Sequence, residues 1–253
     1  MPIKIRVMPT LLYKEVGLVK GIGFDSWRRV GSAMQAVKVY NMREVDELVL
    51  LDISATQEGR TPDFSLIDEL ADECFMPLTV GGGIRTIDDV HHLLQVGADK
   101  VALNTAAVEH PDLIAQIARR FGSQCVVVSI DARRHPDGSY EVYTRAGTTP
   151  TGKDPVVLAR EAQNLGAGEI LLTSIDRDGT MTGYDVDLTS RICATVSIPV
   201  IASGGAGSYE HMAEVLRDGR ASAVAAASIF HFTQQTPLEA KHYLRTQGFH
   251  VRI

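Results

Sequence analysis

Four aspartates stand at or just beyond the ends of apolar runs and have the side chain that acid–base chemistry needs. Asp131 ends the run C-V-V-V-S-I-D, Asp52 ends E-L-V-L-L-D, and Asp176 and Asp178 lie in S-I-D-R-D-G-T. A carboxyl group at the end of a buried strand can act as a general acid or base when its surroundings tune its pKa. We predict that Asp131 is catalytic because it directly ends a core strand. The other three are further candidates, although loop capping or pairing with Arg177 is an alternative for the last two.

Two glycine clusters have the composition of anion-binding loops. G-G-G-I at 81–84 and S-G-G-A-G at 203–207 each follow a predicted strand and precede a predicted helix. Glycine lets backbone N–H groups approach an anion, and the following helix N-terminus adds partial positive charge. We therefore predict phosphate binding at both clusters, and an elongated ligand with an anionic group at each end. The residues assigned to these sites are Gly82, Gly83, Asn104 and Thr105 on one side and Ser203, Gly204, Gly205, Ala227 and Ser228 on the other.

The elements that must position these residues alternate regularly. Short β-branched runs alternate with amphipathic stretches along the chain, which is typical of βα units around a parallel sheet. The chain also repeats itself at an offset of 122 residues, as in P-L-T-V-G-G-G-I from Pro77 and P-V-I-A-S-G-G-A from Pro199. Two related halves predict a single domain over residues 1–253, a closed (β/α)8 barrel with an internal half-barrel repeat and its active site at the carboxyl ends of the strands. The predicted strands cover 5–12, 47–52, 77–81, 100–104, 125–131, 169–174, 199–203 and 223–227.

Helix start and stop signals flank two of the amphipathic stretches. Thr86 is a predicted N-cap, Asp89 completes a capping-box-like pair with it, and Gly97 is a stop signal. The segment Ser208–Gly219 repeats this start and stop. These signals predict a helix directly after each glycine cluster.

Two connections are predicted to lie over the barrel mouth. The connection at 132–153 contains a P-D-G turn signal followed by alternating apolar residues, so we predict a small hairpin. The first connection contains Gly17, Gly21 and Gly23 and is predicted to form either a mobile lid or a plain solvated loop. Lys20 in this connection is a further candidate site residue.

Four charged residues lie at the opposite, amino-terminal ends of the predicted strands, namely Arg6, Glu47, Lys100 and Glu169. Charges directed into a barrel floor are unfavourable unless they are paired. Two bases and two acids can neutralise each other, so we predict a charged ring. Such a ring would serve either as a structural plug or as a gate to the barrel axis.

Composition and charge exclude several classes of protein. With 253 residues, 45% of them apolar and 22% charged, the chain has the composition of a folded enzyme. A net charge of -6 argues against binding to nucleic acid or to an anionic membrane, both of which need clustered Lys and Arg. No apolar stretch is long enough for a signal peptide or a membrane span, so we expect a cytoplasmic protein. No metal or other cofactor is expected, because the histidines and cysteines lack ligand spacing.

Six motifs occur in order along the chain: G-G-G-I-R-T, F-G-S-Q-C-V-V-V-S-I-D, G-A-G-E-I-L-L-T-S-I-D-R-D-G-T, G-Y-D, I-A-S-G-G-A-G and A-A-S-I-F-H-F. Together they closely resemble the cyclase subunit of imidazole glycerol phosphate synthase over essentially the whole chain. The resemblance implies a (β/α)8 barrel that forms a heterodimer with a glutaminase subunit and receives its ammonia through the barrel axis. It also implies a phosphorylated small-molecule substrate, a bis-phosphorylated ribulosyl intermediate of histidine biosynthesis. The products would be imidazole glycerol phosphate and an aminoimidazole carboxamide ribotide.

The same resemblance implies roles for individual residues. Asp131 corresponds to one of two catalytic aspartates, and the charged quartet corresponds to the gate for ammonia. The phosphate loops correspond to Gly82, Gly83, Asn104 and Thr105 on one side and Thr173, Asp178, Gly179, Ser203, Gly204 and Gly205 on the other.

The first strand departs from the family pattern. The family reads P-C-L-D-V-K where this chain reads P-T-L-L-Y-K from Pro9 to Lys14, so Leu12 replaces the second catalytic aspartate and Thr10 replaces a cysteine. Leucine cannot exchange a proton, and we therefore expect the cyclisation to be lost or altered. We also expect Leu12 to be partly solvated, because it lies at the barrel mouth.

Residues 45–49 (V-D-E-L-V) and 75–78 (F-M-P-L) resemble one branch of this family. That branch delivers ammonia in bacterial surface-polysaccharide (lipopolysaccharide) pathways, where it works with a glutaminase and a sugar amidotransferase to convert an acetamido group into an acetamidino group. The leading hypothesis is an ammonia-channelling homologue of this kind. The alternatives are an authentic cyclase of histidine biosynthesis and a non-catalytic scaffold that activates a glutaminase.

Overall fold

The structure, a computed structural model, describes residues 4–15 and 17–253. Strands and helices alternate along this part of the chain. The strands are β1 (Arg6–Lys14), β2 (Gly17–Ile22), β3 (Asp25–Gly31), β4 (Leu48–Asp52), β5 (Leu78–Gly81), β6 (Lys100–Leu103), β7 (Val126–Arg134), β8 (Tyr140–Thr144), β9 (Thr149–Pro150), β10 (Glu169–Ser174), β11 (Val200–Ser203) and β12 (Ala223–Ala226). The α-helices are α1 (Ala33–Met42), α2 (Phe64–Ala71), α3 (Ile87–Gln95), α4 (Thr105–Glu109), α5 (Asp112–Phe121), α6 (Pro155–Asn164), α7 (Val186–Cys193), α8 (Tyr209–Arg217), α9 (Ser228–Phe232) and α10 (Pro237–Thr246).

Eight strands form a closed parallel barrel. They pair in the order β1, β4, β5, β6, β7, β10, β11 and β12, and β12 pairs again with β1. The prediction of a (β/α)8 barrel is therefore confirmed, and all eight predicted strands are present with small differences at their ends. β7 runs beyond the predicted residue 131 because it continues as an antiparallel pair with β8. The internal half-barrel repeat stays a prediction from the sequence.

Side chains alternate between the barrel interior and the surrounding helices. In β1, Leu11 belongs to the large apolar core under the helices, whereas Met8 belongs to a separate cluster inside the barrel. Because alternate residues share a face, Thr10 and Leu12 point to the same interior as Met8. The buried interior cluster is formed by Met8, Val49, Ala102, Val127, Leu171, Ile201, Ala223 and Ala225.

The predicted helix signals are confirmed after both glycine clusters. The Thr86 side chain accepts a hydrogen bond from the Asp89 N–H at 3.1 Å, and the Asp89 carboxylate accepts one from the Thr86 N–H at 2.9 Å. This capping box starts α3, and Gly97 follows the helix with a φ of 103° that favours glycine. Ser208 caps α8 in a similar way. The N-termini of α3 and α8 therefore lie close behind the two glycine clusters.

Two antiparallel hairpins extend from the ends of β1 and β7 and reach the barrel mouth. β2 pairs with β1 and β3, while β8 pairs with β7 and β9. The second hairpin confirms the prediction for residues 132–153. For the first connection, the predicted alternative of a plain solvated loop is wrong, because the chain there forms paired strands. The alternative of a mobile lid stays a prediction. The hairpins also meet, because Gly147 leaves space for the Phe24 ring, and a Cβ at Gly147 would lie 2.7 Å from a ring carbon.

Candidate active site at the barrel mouth

The carboxyl ends of the barrel strands and the two hairpins surround a cavity that is open to solvent. Asp131, Asp52 and Lys20 line this cavity, whereas Asp176 lies outside it. The structure therefore places the candidate residues of the mouth around one cavity, and Asp176 is the exception. All the residues assigned to anion binding line it as well: Gly82, Gly83, Asn104, Thr105, Thr173, Asp178, Gly179, Ser203, Gly204, Gly205, Ala227 and Ser228.

Asp131 lies inside the barrel where β7 continues into the second hairpin. It pairs in register with Thr173 of β10, so the two side chains are neighbours on the same face of the sheet. Burial raises the pKa of Asp131 to about 7, repulsion from Asp178 adds to the rise, and the hydrogen bond from Thr173 opposes it. A carboxyl group with a pKa near neutrality can take up and release a proton at physiological pH, as general acid–base catalysis requires.

Lys20 extends from β2 into the mouth and forms a buried ion pair with Asp178. The Lys20 Nζ donates to Asp178 Oδ2 at 2.6 Å, and Lys20 is only 2% exposed. Burial raises the pKa of Asp178, and the ammonium group of Lys20 limits that rise. At the tip of the same hairpin, the Gly23 N–H donates to the Asp178 carbonyl at 2.8 Å. These contacts tie the first hairpin to the loop that follows β10.

The remaining aspartates have structural partners. Asp52 Oδ1 accepts hydrogen bonds from the backbone N–H groups of Ser54 and Ala55 at 2.9 and 3.0 Å, and its Oδ2 lies 3.2 Å from Arg60 Nη1. These bonds hold the loop after β4, so the Asp52 carboxylate has little capacity left for a ligand.

Asp176 is exposed, and its Oδ2 accepts a hydrogen bond from the Arg134 N–H at 2.7 Å. Its other oxygen lies 3.9 Å from Arg133 Nε. Both alternatives given for this residue are wrong: within the described residues its carboxylate bonds to the backbone of β7 and not to its own loop, and it forms no ion pair with Arg177. Asp176 fixes the second hairpin from outside because β7 is longer than the sequence indicates.

The two glycine clusters have similar backbone requirements. Gly82 and Gly205 adopt φ values of 104° and 108°. A Cβ at Gly82 would collide with the Asp52 carbonyl oxygen, and one at Gly205 would collide with another backbone carbonyl. Only glycine permits this close backbone approach. The Gly83 N–H donates to Thr56 Oγ1 at 3.2 Å, so this N–H has a partner within the chain.

Asn104 and Thr105 both line the cavity and hold the second hairpin. The Asn104 Nδ2 donates to the carbonyl oxygens of Ser129 and Tyr143 at 3.1 and 3.3 Å. The Thr105 hydroxyl accepts from the Arg145 N–H at 3.1 Å. At the corresponding place after β12, Ala227 has no polar side-chain atom. The two sides of the mouth therefore differ in their donors.

The four charged residues predicted at the floor form a closed ring of ion pairs. Arg6 Nη1 lies 2.7 Å from Glu47 Oε2 and 3.0 Å from Glu169 Oε1. Lys100 Nζ lies 2.9 Å from Glu47 Oε2 and 3.2 Å from Glu169 Oε1. The Thr79 hydroxyl donates a further hydrogen bond to Glu47 at 2.7 Å. Each base thus bridges both acids, and the ring lies at the end of the barrel opposite Asp131.

The burial of Leu12 and the position of Thr10 in the cavity lining were not predicted from the sequence. Leu12 is only 8% exposed, so the expectation of partial solvation is wrong: β1, β2 and β4 enclose it. Thr10 was not identified as a site residue, yet it lines the cavity, and its buried hydroxyl has no hydrogen-bond partner within the described residues. The alternation of side chains in β1 is the signal that could have found it.

The first hairpin contributes further residues that sequence reasoning missed. Phe24 and Trp27 line the cavity from above, and Arg28 stacks on the Phe232 ring with its guanidinium carbon 3.5 Å from the ring centroid. Burial lowers the pKa of His231 to about 4, and the positive charge of Lys20 lowers it further. This histidine is therefore neutral at physiological pH. Nothing in the spacing of these residues pointed to the mouth, because the hairpin that carries most of them was not predicted.

Within residues 4–15 and 17–253, no group of three or more His, Cys, Asp or Glu side chains is arranged to hold a metal ion. The same residues include no helix with both the length and the apolar composition needed to cross a bilayer.

The closed parallel barrel, with a cavity at the carboxyl ends of its strands, defines the molecule as a (β/α)8-barrel protein. A family model described as histidine biosynthesis protein matches residues 6–236. The chain belongs to this family of histidine biosynthesis enzymes. The match extends from the first barrel strand to the residue before α10, so it includes the floor ring, both hairpins and the whole mouth.

Proposed function

We propose that the protein is an ammonia-channelling barrel that receives ammonia from a glutaminase subunit at its floor and delivers it to a phosphorylated substrate at its mouth. The observation that carries this proposal is the arrangement along the axis. The ion-pair ring lies at the floor, the buried apolar cluster follows, and Asp131 stands at the other end. These three layers suit entry, passage and use of a small neutral base.

The interior cluster suits ammonia in its neutral form. Its side chains are all apolar. The three alanines, at positions 102, 223 and 225, occupy less of the barrel interior than the larger side chains of the cluster. An ammonium ion would lose its hydration there without a partner, whereas neutral ammonia loses much less. The floor ring would have to open for passage. Arg6 and Lys100 are the members that can move, because their side chains are 21% and 16% exposed while Glu47 is 2% exposed.

Two exposed apolar side chains support a partner at the floor. Met42 ends α1 and is 78% exposed, and Phe75 precedes β5 and is 86% exposed. Asn41 holds them near each other, since its Oδ1 accepts a hydrogen bond from the Phe75 N–H at 3.1 Å. Both lie on the floor side, where the proposed glutaminase would form a heterodimer with this chain. Large apolar side chains that are so exposed are typical anchors of protein interfaces.

At the mouth, the proposal includes altered chemistry. Asp131 can exchange a proton near neutral pH, but Leu12 offers no second acid across the cavity. Loss of one acid or base typically reduces a rate by ~10²- to 10⁴-fold. We therefore propose that the original cyclisation is lost or altered. The branch-like segments at 45–49 and 75–78 support a role in acetamidino modification of a surface-polysaccharide sugar, together with a sugar amidotransferase.

The test follows nitrogen from glutamine to product. The chain, its glutaminase and the amidotransferase are supplied with amide-labelled glutamine and excess unlabelled ammonium. Channelled ammonia keeps its label in the product, and Lys100→Met should dilute the label by opening the floor ring. Lys153→Met is the matched control, because Lys153 pairs with Glu161 on an exposed surface before α6, away from the floor, and does not line the cavity. Dilution of the label to the level of the free ammonium pool in the unaltered protein would refute the channel, whereas equal retention of the label in Lys100→Met would refute the role of the floor ring as its gate.

An authentic cyclase of histidine biosynthesis is a second candidate, favoured by the family match and by Asp131. Complementation of a histidine auxotroph that lacks the cyclase tests it, and absence of growth counts against it. A non-catalytic scaffold is a third candidate, favoured by Leu12. It predicts that Asp131→Asn leaves both glutaminase activation and nitrogen transfer unchanged.

A further inference from the structure

Lys241 is a buried charged residue that the proposed function does not use. It lies on α10 and is 2% exposed, and its Nζ donates to the Glu44 carbonyl oxygen at 2.8 Å. Its second partner is Asp46, whose Oδ1 lies 3.4 Å away and whose side chain is 5% exposed. Lysine is almost never fully buried unless it is paired, and a buried ion pair is often no more stabilising than apolar side chains of the same volume. The position of Lys241 therefore indicates a role in geometry and not a gain in stability.

Asp46 connects the two chain segments that carry Arg6 and Glu47. Its other oxygen, Oδ2, accepts a hydrogen bond from the Val7 N–H at 2.9 Å. Val7 follows Arg6 in the chain. Asp46 directly precedes Glu47, so this bond runs beside the ion pair that Glu47 forms with Arg6 at 2.7 Å. Two adjacent cross-links thus join the same two segments, and only one of them belongs to the floor ring.

The bond to Asp46 takes the place of a strand ladder at the floor. The parallel register between β1 and β4 begins at Thr10 and Val49, above Val7. Below that level the Asp46 carboxylate receives the Val7 N–H. A buried carboxylate is strongly unfavourable without a cationic partner. Lys241 supplies that cation, so the spacing between the two segments at the floor depends on α10.

The turn that Lys241 holds begins beside an exposed apolar residue. Met42 ends α1, and Glu44, with a φ of 47°, turns the chain toward Asp46. Lys241 contacts both the Glu44 carbonyl and the Asp46 carboxylate, so it holds this turn at two points. A displacement at Met42 would reach Glu47 through the same turn.

The segment after α10 also contacts the start of β1. The Ile5 N–H donates to the His250 carbonyl at 2.8 Å, and Ile5 pairs with Val251 in a parallel bridge. Ile5 directly precedes Arg6. Residues 237–253 therefore hold the chain on both sides of the ion pair between Arg6 and Glu47.

We propose that Lys241 is a positioning residue for the floor ring, and that it acts through Asp46 to keep Glu47 stationary. Arg6 and Lys100 then move against a fixed acid when the ring opens. The inference rests on the proposed function in one respect, that the ring opens for the passage of ammonia. It adds a role for α10 at the floor.

Hydrogen exchange of the Arg6 guanidinium, followed by NMR on the full chain, reports on opening of the ring and needs no partner. Lys241→Met should speed this exchange by about tenfold, because the ring opens more often once its anchor is lost. Leu244→Ala is the matched control, since Leu244 lies on the same helix and is buried in the apolar core under the helices. It should weaken the packing of α10 but change the Arg6 exchange by less than about twofold.

Asp46→Asn cuts the same link from the other side and decides the question if Lys241→Met does not fold. Asparagine keeps the shape of the side chain and can still accept a hydrogen bond from the Val7 N–H, but it lacks the charge that attracts Lys241. It should speed the Arg6 exchange in the same direction by a smaller factor, because charge-assisted hydrogen bonds are the stronger ones.

The labelled-glutamine experiment then separates this inference from the proposed function. Lys241→Met should dilute the label as Lys100→Met does, whereas Leu244→Ala should retain it. Unchanged Arg6 exchange in Lys241→Met and Asp46→Asn, or equal acceleration in Leu244→Ala, would overturn the positioning role and leave the channel standing. Faster Arg6 exchange in Lys241→Met with full retention of the label would overturn the gate of the proposed function but not the positioning role.

Discussion

The floor and the mouth of the barrel treat buried charge in opposite ways. At the floor, two bases and two acids bridge one another completely in a ring. At the mouth, Lys20 is committed to Asp178, and Asp131 has no cationic partner within the described residues. The difference appears in proton affinity. Glu169 and Glu47 together outweigh the effect of burial on Arg6 and raise its pKa, whereas burial and a neighbouring acid raise the pKa of Asp131 to about 7.

Paired charges hold structure, and an unpaired one is free to exchange a proton. Removing a charge should therefore have opposite consequences at the two ends: it should destabilise the floor and stabilise the mouth. The first two predictions test this contrast. The last two test whether the effects at the mouth are confined to the residues that line the cavity.

Breaking the floor ring should have the largest effect. Glu47→Gln keeps the shape of the side chain but leaves Arg6 and Lys100 to share Glu169. Removal of one partner from a buried ion pair costs about 3 kcal/mol, so the free energy of unfolding in urea should fall by about that amount. Glu109→Gln is the control, because Glu109 forms a single exposed pair with Arg145, and a loss of less than about 1 kcal/mol is expected there. Equal losses in the two variants would contradict the contrast.

At the mouth, Asp131→Asn should stabilise the protein at pH 8. The folded pKa of about 7 lies well above the ordinary value of 3.8, so the folded protein binds this proton more tightly than the unfolded chain does. Stability from this group is therefore greatest below pH 3.8 and is lost as the pH rises to about 7. We expect the substitution to raise the free energy of unfolding by about 2 kcal/mol at pH 8, after allowance for the weaker hydrogen bond that an amide oxygen accepts from Thr173.

The pH dependence separates this effect from a packing effect. The gain from Asp131→Asn should disappear as urea titrations are moved from pH 8 to pH 4. A gain that is constant across this range would show that charge is not its origin. The same variant should lose nitrogen transfer if Asp131 exchanges a proton with the substrate.

Leu12→Asp should convert the apolar side of the mouth into a second acidic side. Because Leu12 is buried, the lost apolar contact should reduce the free energy of unfolding by about 1.5 kcal/mol. Gain of cyclase activity on the ribulosyl intermediate would show that the remaining site is still arranged for that reaction. Leu12→Asn, which adds polarity without charge, is the control and should give no activity.

Asp176→Asn should have the smallest effect. Asp176 is exposed and lies outside the cavity, so stability should change by less than about 0.5 kcal/mol and nitrogen transfer by less than about twofold. Steady-state transfer rates measured beside Asp131→Asn give the comparison. A loss as large as that of Asp131→Asn would mean that the catalytic region extends beyond the mouth.

The sequence predicted features that depend on local periodicity. The β-branched runs located all eight barrel strands, and Thr86 and Ser208 marked the starts of α3 and α8, because strand alternation and capping are determined within a few residues. The charged ring was also accessible, since four charges at strand starts must meet at a barrel floor. These predictions needed only the fold class.

Features that depend on long-range contacts were not accessible. The burial of Leu12 requires β2 to fold back over β1, and the glycines in that segment masked its strand character. The Lys20 and Asp178 side chains are 158 residues apart in sequence, so their pairing needed the folded structure. The missing partner of Thr10 is likewise a property of the assembled cavity and not of any motif.

The ion pair between Lys20 and Asp178 makes the position of the first hairpin and the protonation of Asp131 mutually dependent. Opening the hairpin would withdraw Lys20 and leave the negative charge of Asp178 uncompensated beside Asp131. Asp131 would then hold its proton more tightly, and by thermodynamic reciprocity a protonated Asp131 favours the open hairpin. If this hairpin closes over a ligand, closure should lower the pKa of Asp131, and entry of the ligand and release of the proton would then be two parts of one equilibrium.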